Sequence, residues 1–122
     1  MKKYHFVFDE GKKNQKIKKI LLNKFKNFNP NISNIIVVLG GDGFMLDTLK
    51  KFQKYNKPFY GINTGAFGFL MNKYNNQNLE KIISKTKLIS ISPLQMKVLT
   101  IYGKTFSALA INEISLLRQS RQ

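Results

Sequence analysis

One domain of ordinary size fits in 122 residues, 43% of them hydrophobic and ten of them Phe, and the lack of cysteine excludes disulfides, thiolate catalysis and cysteine–zinc sites. The formal charge of +15 comes almost wholly from Lys, with only Arg118 and Arg121 besides, mixed with abundant Asn and Ile; spread this way it reads as a solvated surface rather than a nucleic-acid patch, and no zinc finger or RNP-type pattern accompanies it. No apolar stretch approaches a membrane span and the opening MKKYHFVFDEG lacks a signal-peptide core, so a cytoplasmic protein is expected.

Tyr4 to Phe8 reads as a short apolar strand that ends at Asp9-Glu10-Gly11. Ile17, Ile20, Leu21, Phe25 and Phe28 mark one face of a helix whose other face is Lys and Asn, and Asn29-Pro30-Asn31 stops it. Asn34 to Leu39 is apolar and β-branched, the pattern of a strand buried in a parallel sheet. It runs into Gly40-Gly41-Asp42-Gly43. From Phe44 the positions Met45, Leu46, Leu49 and Phe52 fall at helical spacing, to about Tyr55, and Asn56-Lys57-Pro58 halts that helix. Phe59 to Ile62 is a third strand, again followed by a glycine-rich stretch through Leu70, and Asn78 caps a short helix carrying Leu79, Ile82 and Ile83.

Strands alternating with helices imply an α/β fold with a doubly wound parallel sheet, assigned here to residues 1–93. After Pro93 the pattern changes. Met96 to Ile101, Thr105 to Ala110 and Ile114 to Leu117 read as successive strands with a hairpin at Tyr102-Gly103-Lys104, so residues 94–122 are expected to begin a β-rich second domain that is incomplete within this chain.

Two successive parallel strands that end in glycine-rich loops place both loops at one edge of the sheet, where α/β proteins bind ligands. Glycine there permits φ > 0 or close backbone approach to a phosphate. The tetrapeptide at 40–43 is either a plain turn or a ligand loop, and its position between a buried strand and a helix points to the second. A carboxylate such as Asp42 repels a phosphate, so it fits better as an acceptor for a hydroxyl or as help for a metal ion, both of which phosphoryl transfer needs. Phe67 and Phe69 either fold into the core or stack on a base, and Glu113, flanked by Ile111 and Ile114, faces either solvent or a cleft. His5, the single histidine, lies in the first strand and reads as structural. No Ser-His-Asp set, His–carboxylate metal cluster or Walker-type phosphate loop can be assembled.

Taken in order, Gly40-Gly41-Asp42-Gly43, Asn63-Thr64-Gly65-Ala66-Phe67-Gly68-Phe69-Leu70 and Ala110-Ile111-Asn112-Glu113 resemble the motifs of the NAD kinases. The first is shared with phosphofructokinases and with diacylglycerol and sphingosine kinases; the other two, and the tail Glu113 to Gln119, are more specific. The resemblance implies transfer of a phosphoryl group from ATP or inorganic polyphosphate to the 2′-hydroxyl of the adenosine ribose of NAD, giving NADP, with a divalent metal, expected as magnesium. It implies Asp42 as proton acceptor at that hydroxyl, Gly43 as a backbone contact to the dinucleotide, Phe69 beside the adenine, and Asn112 and Glu113 as polar contacts to NAD. Phe44 stands where Thr is commonest in the family. Family members run to more than twice this length, with a β-rich domain that completes both substrate sites and carries most contacts of their homo-oligomers. By the same resemblance the chain alone is expected to have little or no kinase activity. The alternative is a non-catalytic nucleotide-binding module, or a half-enzyme whose partner carries the missing domain.

Overall fold

The computed structural model describes residues 2–65, 70–92 and 114–119. Its elements in chain order are strand β1 (Tyr4–Phe8), helix α1 (Lys12–Lys24), β2 (Ile35–Leu39), α2 (Asp42–Phe52) with a 3-10 turn at Gln53–Tyr55, β3 (Phe59–Asn63), β4 (Asn72–Lys73), α3 (Leu79–Ser84), β5 (Lys87–Ile91) and β6 (Ile114–Arg118). They form a mixed α/β fold around a mostly parallel sheet of order β1-β2-β3-β6-β5, with β4 beside the C-terminal end of β3. Among the described residues only the pairing of β5 with β6 is antiparallel.

All five residues of β2 are buried, which is what an apolar, β-branched strand with a covered sheet on both sides requires. Their side chains alternate. Ile36 and Val38 share one core with Met45, Leu46 and Leu49 of α2, while Ile35, Val37 and Leu39 share the other with Leu21 of α1 and Leu79, Ile82 and Ile83 of α3. Each fully buried side chain of this kind stabilises the fold by about 1.5–3 kcal/mol, so these two cores fix where the strand ends point.

Helix α1 is shorter than its apolar spacing suggests. It stops at Lys24, and Phe25 leaves it in an extended conformation (φ −132°, ψ 141°). The next residues are taken up by the outer edge of β1: the amide of Phe28 donates to the carbonyl of Tyr4, and the amide of Phe6 donates to Asn27 Oδ1. Phe25 still packs on the rings of Tyr4 and Phe6, at 5.6 and 6.1 Å between centroids. An edge strand covered in this way is no longer a template for pairing with another chain. His5 is structural in this setting, its Nδ1 2.8 Å from the carbonyl oxygen of Phe28.

Three further differences from expectation have simple causes. Helix α2 begins at Asp42 rather than Phe44, because Gly41 is its N-cap. β4 and β5 were not expected as strands: β4 has two residues, and in β5 the exposed Leu88 breaks the alternation of Ile89, Ser90 and Ile91. Ile114 to Leu117, expected in a following antiparallel unit, lies in β6 of this same sheet, in parallel register with Phe59 and Tyr60 of β3. The other two strands expected after Pro93, and the division placed there, lie outside the described residues.

Candidate active site

Because β1, β2 and β3 run parallel, the loops that follow them leave from the same edge of the sheet. Backbone hydrogen bonds stitch the three exits together: the amide of Asp9 donates to the carbonyl of Leu39 (2.9 Å), and that of Gly40 to the carbonyl of Ile62 (3.0 Å). Between them lies an open cleft of about 240 Å³. Asp9, Lys13 and Asn14 line it from the first exit, Gly40 to Asp42 from the second, and Asn63 to Gly65 from the third. Every one of these residues is polar, charged or glycine.

Asp42 is the first residue of α2, and its Oδ1 accepts a hydrogen bond from the amide of Leu70 at 2.9 Å. That bond ties the carboxylate to the far end of the loop that follows β3. A negative charge in the first turn of a helix is also favourable against the helix dipole.

The glycines act through space rather than through left-handed backbone, since none of Gly40, Gly41 and Gly65 has a positive φ. A Cβ on Gly40 would lie 2.8 Å from Phe44 Cδ2 and 3.2 Å from Asp9 Cβ, so the packing of the chain itself requires glycine there. Around Gly41 the reverse holds, with nothing within 4 Å of an added Cβ. The α1 and α2 N-caps, Gly11 and Gly41, make no side-chain capping bond; only their carbonyls take part, accepting from the amides of Asn14 (3.0 Å) and Met45 (2.9 Å).

Asn14 joins the first and third exits. It is buried, its Nδ2 donates to the carbonyl of Asp9 (3.1 Å), and its Oδ1 accepts from Thr64 Oγ1 (2.7 Å). The side chain of Asn63 folds over the same loop, with Oδ1 accepting from the amide of Gly65 at 2.9 Å. Asp42 lines the cleft, whereas Gly43, a half-buried residue of α2, is not among its lining residues. Phe69, Asn112 and Glu113 lie outside the described residues. Asp9, Lys13 and Asn14 are not singled out as site residues by the sequence, and Thr64 is named there only within the Asn63-to-Leu70 stretch. The signal for Asn14 was there, because it stands three residues before Ile17 and seven before Leu21, on the apolar side of α1.

A larger cavity, of about 390 Å³, opens on the other side of the sheet edge among Phe25, Tyr60, Tyr74 and Leu79. It is lined by Ile62 of β3, whereas Gly40, Gly41 and Asp42 of the first motif and Asn63 to Gly65 of the second line the smaller cleft. Tyr60 there accepts a hydrogen bond from Gln119 Nε2 at 2.8 Å. Burial pushes its hydroxyl up to about 12 against that bond, so it stays protonated at neutral pH.

A cleft with two acidic residues, one lysine and backbone at the ends of parallel strands is a place where α/β proteins bind ligands. The family model of the ATP-NAD kinase N-terminal domain matches residues 1–87. The chain belongs to the NAD kinase family. The NAD kinase of Rhizobium meliloti (strain 1021) is 40% identical over 117 residues, which is 96% of this chain and 46% of that protein. The NAD kinase of Brucella suis biovar 1 (strain 1330) is 42% identical over 118 residues, or 97% and 46% of the two chains. For that of Mesorhizobium japonicum the figures are 48% over 88 residues, 72% and 34%. The chain thus spans less than half the length of these curated relatives. Among the described residues no helix is long and apolar enough to cross a membrane.

Proposed function

We propose that this chain is the N-terminal, α/β part of an NAD kinase, which transfers a phosphoryl group from ATP or polyphosphate to the 2′-hydroxyl of the adenosine ribose of NAD. The observation that carries the reading is the meeting of Asp42 with the loop after β3 in one polar cleft, in a chain of this family. The sheet, with α2 against one core and α1 and α3 against the other, is read as doubly wound, and residues 94–122 as the start of the β-rich domain, still joined to this sheet at β6.

In the reaction the 2′-oxygen attacks the terminal phosphorus of the donor, the bond from that phosphorus to the bridging oxygen breaks, and the 2′-proton passes to Asp42. A carboxylate is too weak a base to remove that proton at the outset, so Asp42 orients the hydroxyl and receives the proton late, and most of the acceleration comes from positioning. The bond from Leu70 to Oδ1 holds the carboxylate in register with the acceptor loop. Gly43, Phe69, Asn112 and Glu113 are proposed to hold the dinucleotide. A magnesium ion fits the donor set, since Asp9 and Asp42 both line the cleft and this ion commonly takes one or two carboxylates together with substrate phosphates. When bound it would neutralise charge on the transferred group.

NADP formation from NAD, ATP and magnesium tests the reading, with the chain alone and with a separately produced C-terminal portion of a relative. Asp42→Asn keeps an oxygen able to accept from Leu70 but removes the charge and the base, and is expected to lower the rate by about 10²–10⁴-fold. Equal rates for the two proteins, or no NAD binding by calorimetry, would sink it.

A further inference from the structure

We propose that the cavity between the end of α1 and the start of α3 is a second ligand site, which takes a small aromatic acid whose ring carries a hydrogen-bond acceptor at its inner end. It shares no lining residue with the cleft, and its volume of about 390 Å³ lies within the range of pockets that enclose small ligands. The helices leave this opening. α1 gives way to extended chain at Phe25, and α3, six residues long, starts only at Leu79, so Tyr60 and Ile62 of β3 are left lining a cavity between them. The segment from Lys73 to Asn78 lines another side and is held in place. The amide of Tyr74 donates to the carbonyl of Asn63 (3.2 Å), Asn75 Oδ1 accepts from the amide of Gln77 (2.9 Å), and the buried Asn72 just before them donates to the carbonyl of Gly61 (2.9 Å). A site walled in this way exists before its ligand arrives.

The lining sets the chemistry of the ligand. Phe25, Tyr60 and Tyr74 offer ring surface to an aromatic group. Lys24 and Lys73, both exposed, bring two positive charges to the same cavity, and no acidic residue lines it, whereas Asp9 and Asp42 line the cleft. Among the described residues neither lysine has an ion-pair or hydrogen-bond partner. A carboxylate on the ligand supplies one. Tyr60 adds a buried polar group, being only 2% exposed. Its hydroxyl accepts from Gln119 Nε2, and a hydroxyl has a proton to give as well. Among the described residues that proton meets no acceptor, and an oxygen on the inner end of the ligand provides it. The start of α3 is closed by Asn78, so these side chains, and not helix amides, hold the ligand.

The test is calorimetry of the purified chain with para-hydroxycinnamate, set beside para-vinylphenol, which lacks the carboxylate, and cinnamate, which lacks the inner oxygen. The full probe should bind one to one, about tenfold more tightly than para-vinylphenol and about fivefold more tightly than cinnamate. Replacing both lysines, Lys24→Ala with Lys73→Ala, should erase the first preference and leave the second. Tyr60→Phe should erase the second and leave the first, a pattern that general loosening of the fold does not produce. Both lysines are exposed, so their double variant should melt with the parent; it carries the test alone if Tyr60→Phe, which leaves Gln119 Nε2 without its partner, does not fold. NAD, which is placed in the cleft, should not displace the probe. No binding of para-hydroxycinnamate, equal affinity for para-vinylphenol, either preference surviving its own variant, or displacement by NAD would each overturn the site, and none of these outcomes bears on NADP formation.

Discussion

Helix α3 begins in a different way from α1 and α2. At α3 the side chain of Asn78 accepts from the amides of Glu80 (2.9 Å) and Lys81 (3.4 Å), so that helix start is satisfied from within the chain. At α1 and α2 the same position is glycine, and no side chain caps it. The capped start lies away from the cleft and the two uncapped ones border it. A helix whose start meets no ligand can spend a side chain on its own amides; at a ligand edge that side chain would stand where the ligand must go. The two kinds of start divide stability from binding, and substitutions at them should separate the two measurements.

The largest effect on folding is expected at Gly40, which is glycine for the sake of the chain's own packing. Gly40→Ala brings a Cβ within 3.1 Å of Phe44 Cβ and 3.2 Å of Asp9 Cβ, atoms fixed close to the backbone that cannot swing away. Overpacking of this kind costs about 1–3 kcal/mol, readable as a lower urea midpoint. A loss below about 0.5 kcal/mol would mean that the β2–α2 turn is looser than its packing indicates.

The smaller, cleaner control is Asn78→Ala. Removing this cap should cost about 1 kcal/mol of stability, seen in the melting temperature, and leave the binding of NAD unchanged. Weakened binding would show that α3 is coupled to the cleft and would undo the contrast between the two kinds of helix start.

The same contrast governs what could be read from the residues alone. β2, the glycine turn and α2 were legible because a buried strand, two glycines before Asp42 and a helical apolar period agree with one another, and the Asn78 cap followed from residue type and position. The end of α1 was not legible. Phe25 and Phe28 continue the helical period but are drawn off by the edge of β1, a tertiary demand that local spacing does not contain. β5 was hidden because Leu88, an exposed apolar residue, breaks its in–out alternation, and β6 carries a strand pattern that does not say which sheet it joins. In the cleft, Asp42 was visible as a carboxylate out of place among glycines. The bond from Thr64 to Asn14 spans fifty residues of sequence, and only the parallel topology brings its two ends together. Lys13 was hidden among Lys12, Lys16, Lys18 and Lys19, where charge alone distinguishes none of them.

The smallest change in stability is expected from the substitution that tests the contrast most directly, Gly41→Ser. Gly41 has an extended backbone (φ −107°, ψ −175°) that serine adopts without strain, and an added Cβ has nothing within 4 Å. A serine hydroxyl at an N-cap accepts from the amides of the first turn, and exchanging glycine for it is worth only a few tenths of a kcal/mol, about 0.3 in favour of the folded state. Helix α2 would then start as α3 does, with its own cap. If the α2 start is left open for a ligand, the slightly more stable protein should bind NAD about tenfold more weakly, because the new side chain occupies the space and satisfies the amides the ligand would use. If binding is unchanged while stability rises, the open helix start serves no ligand, and Gly41 is only a turn residue.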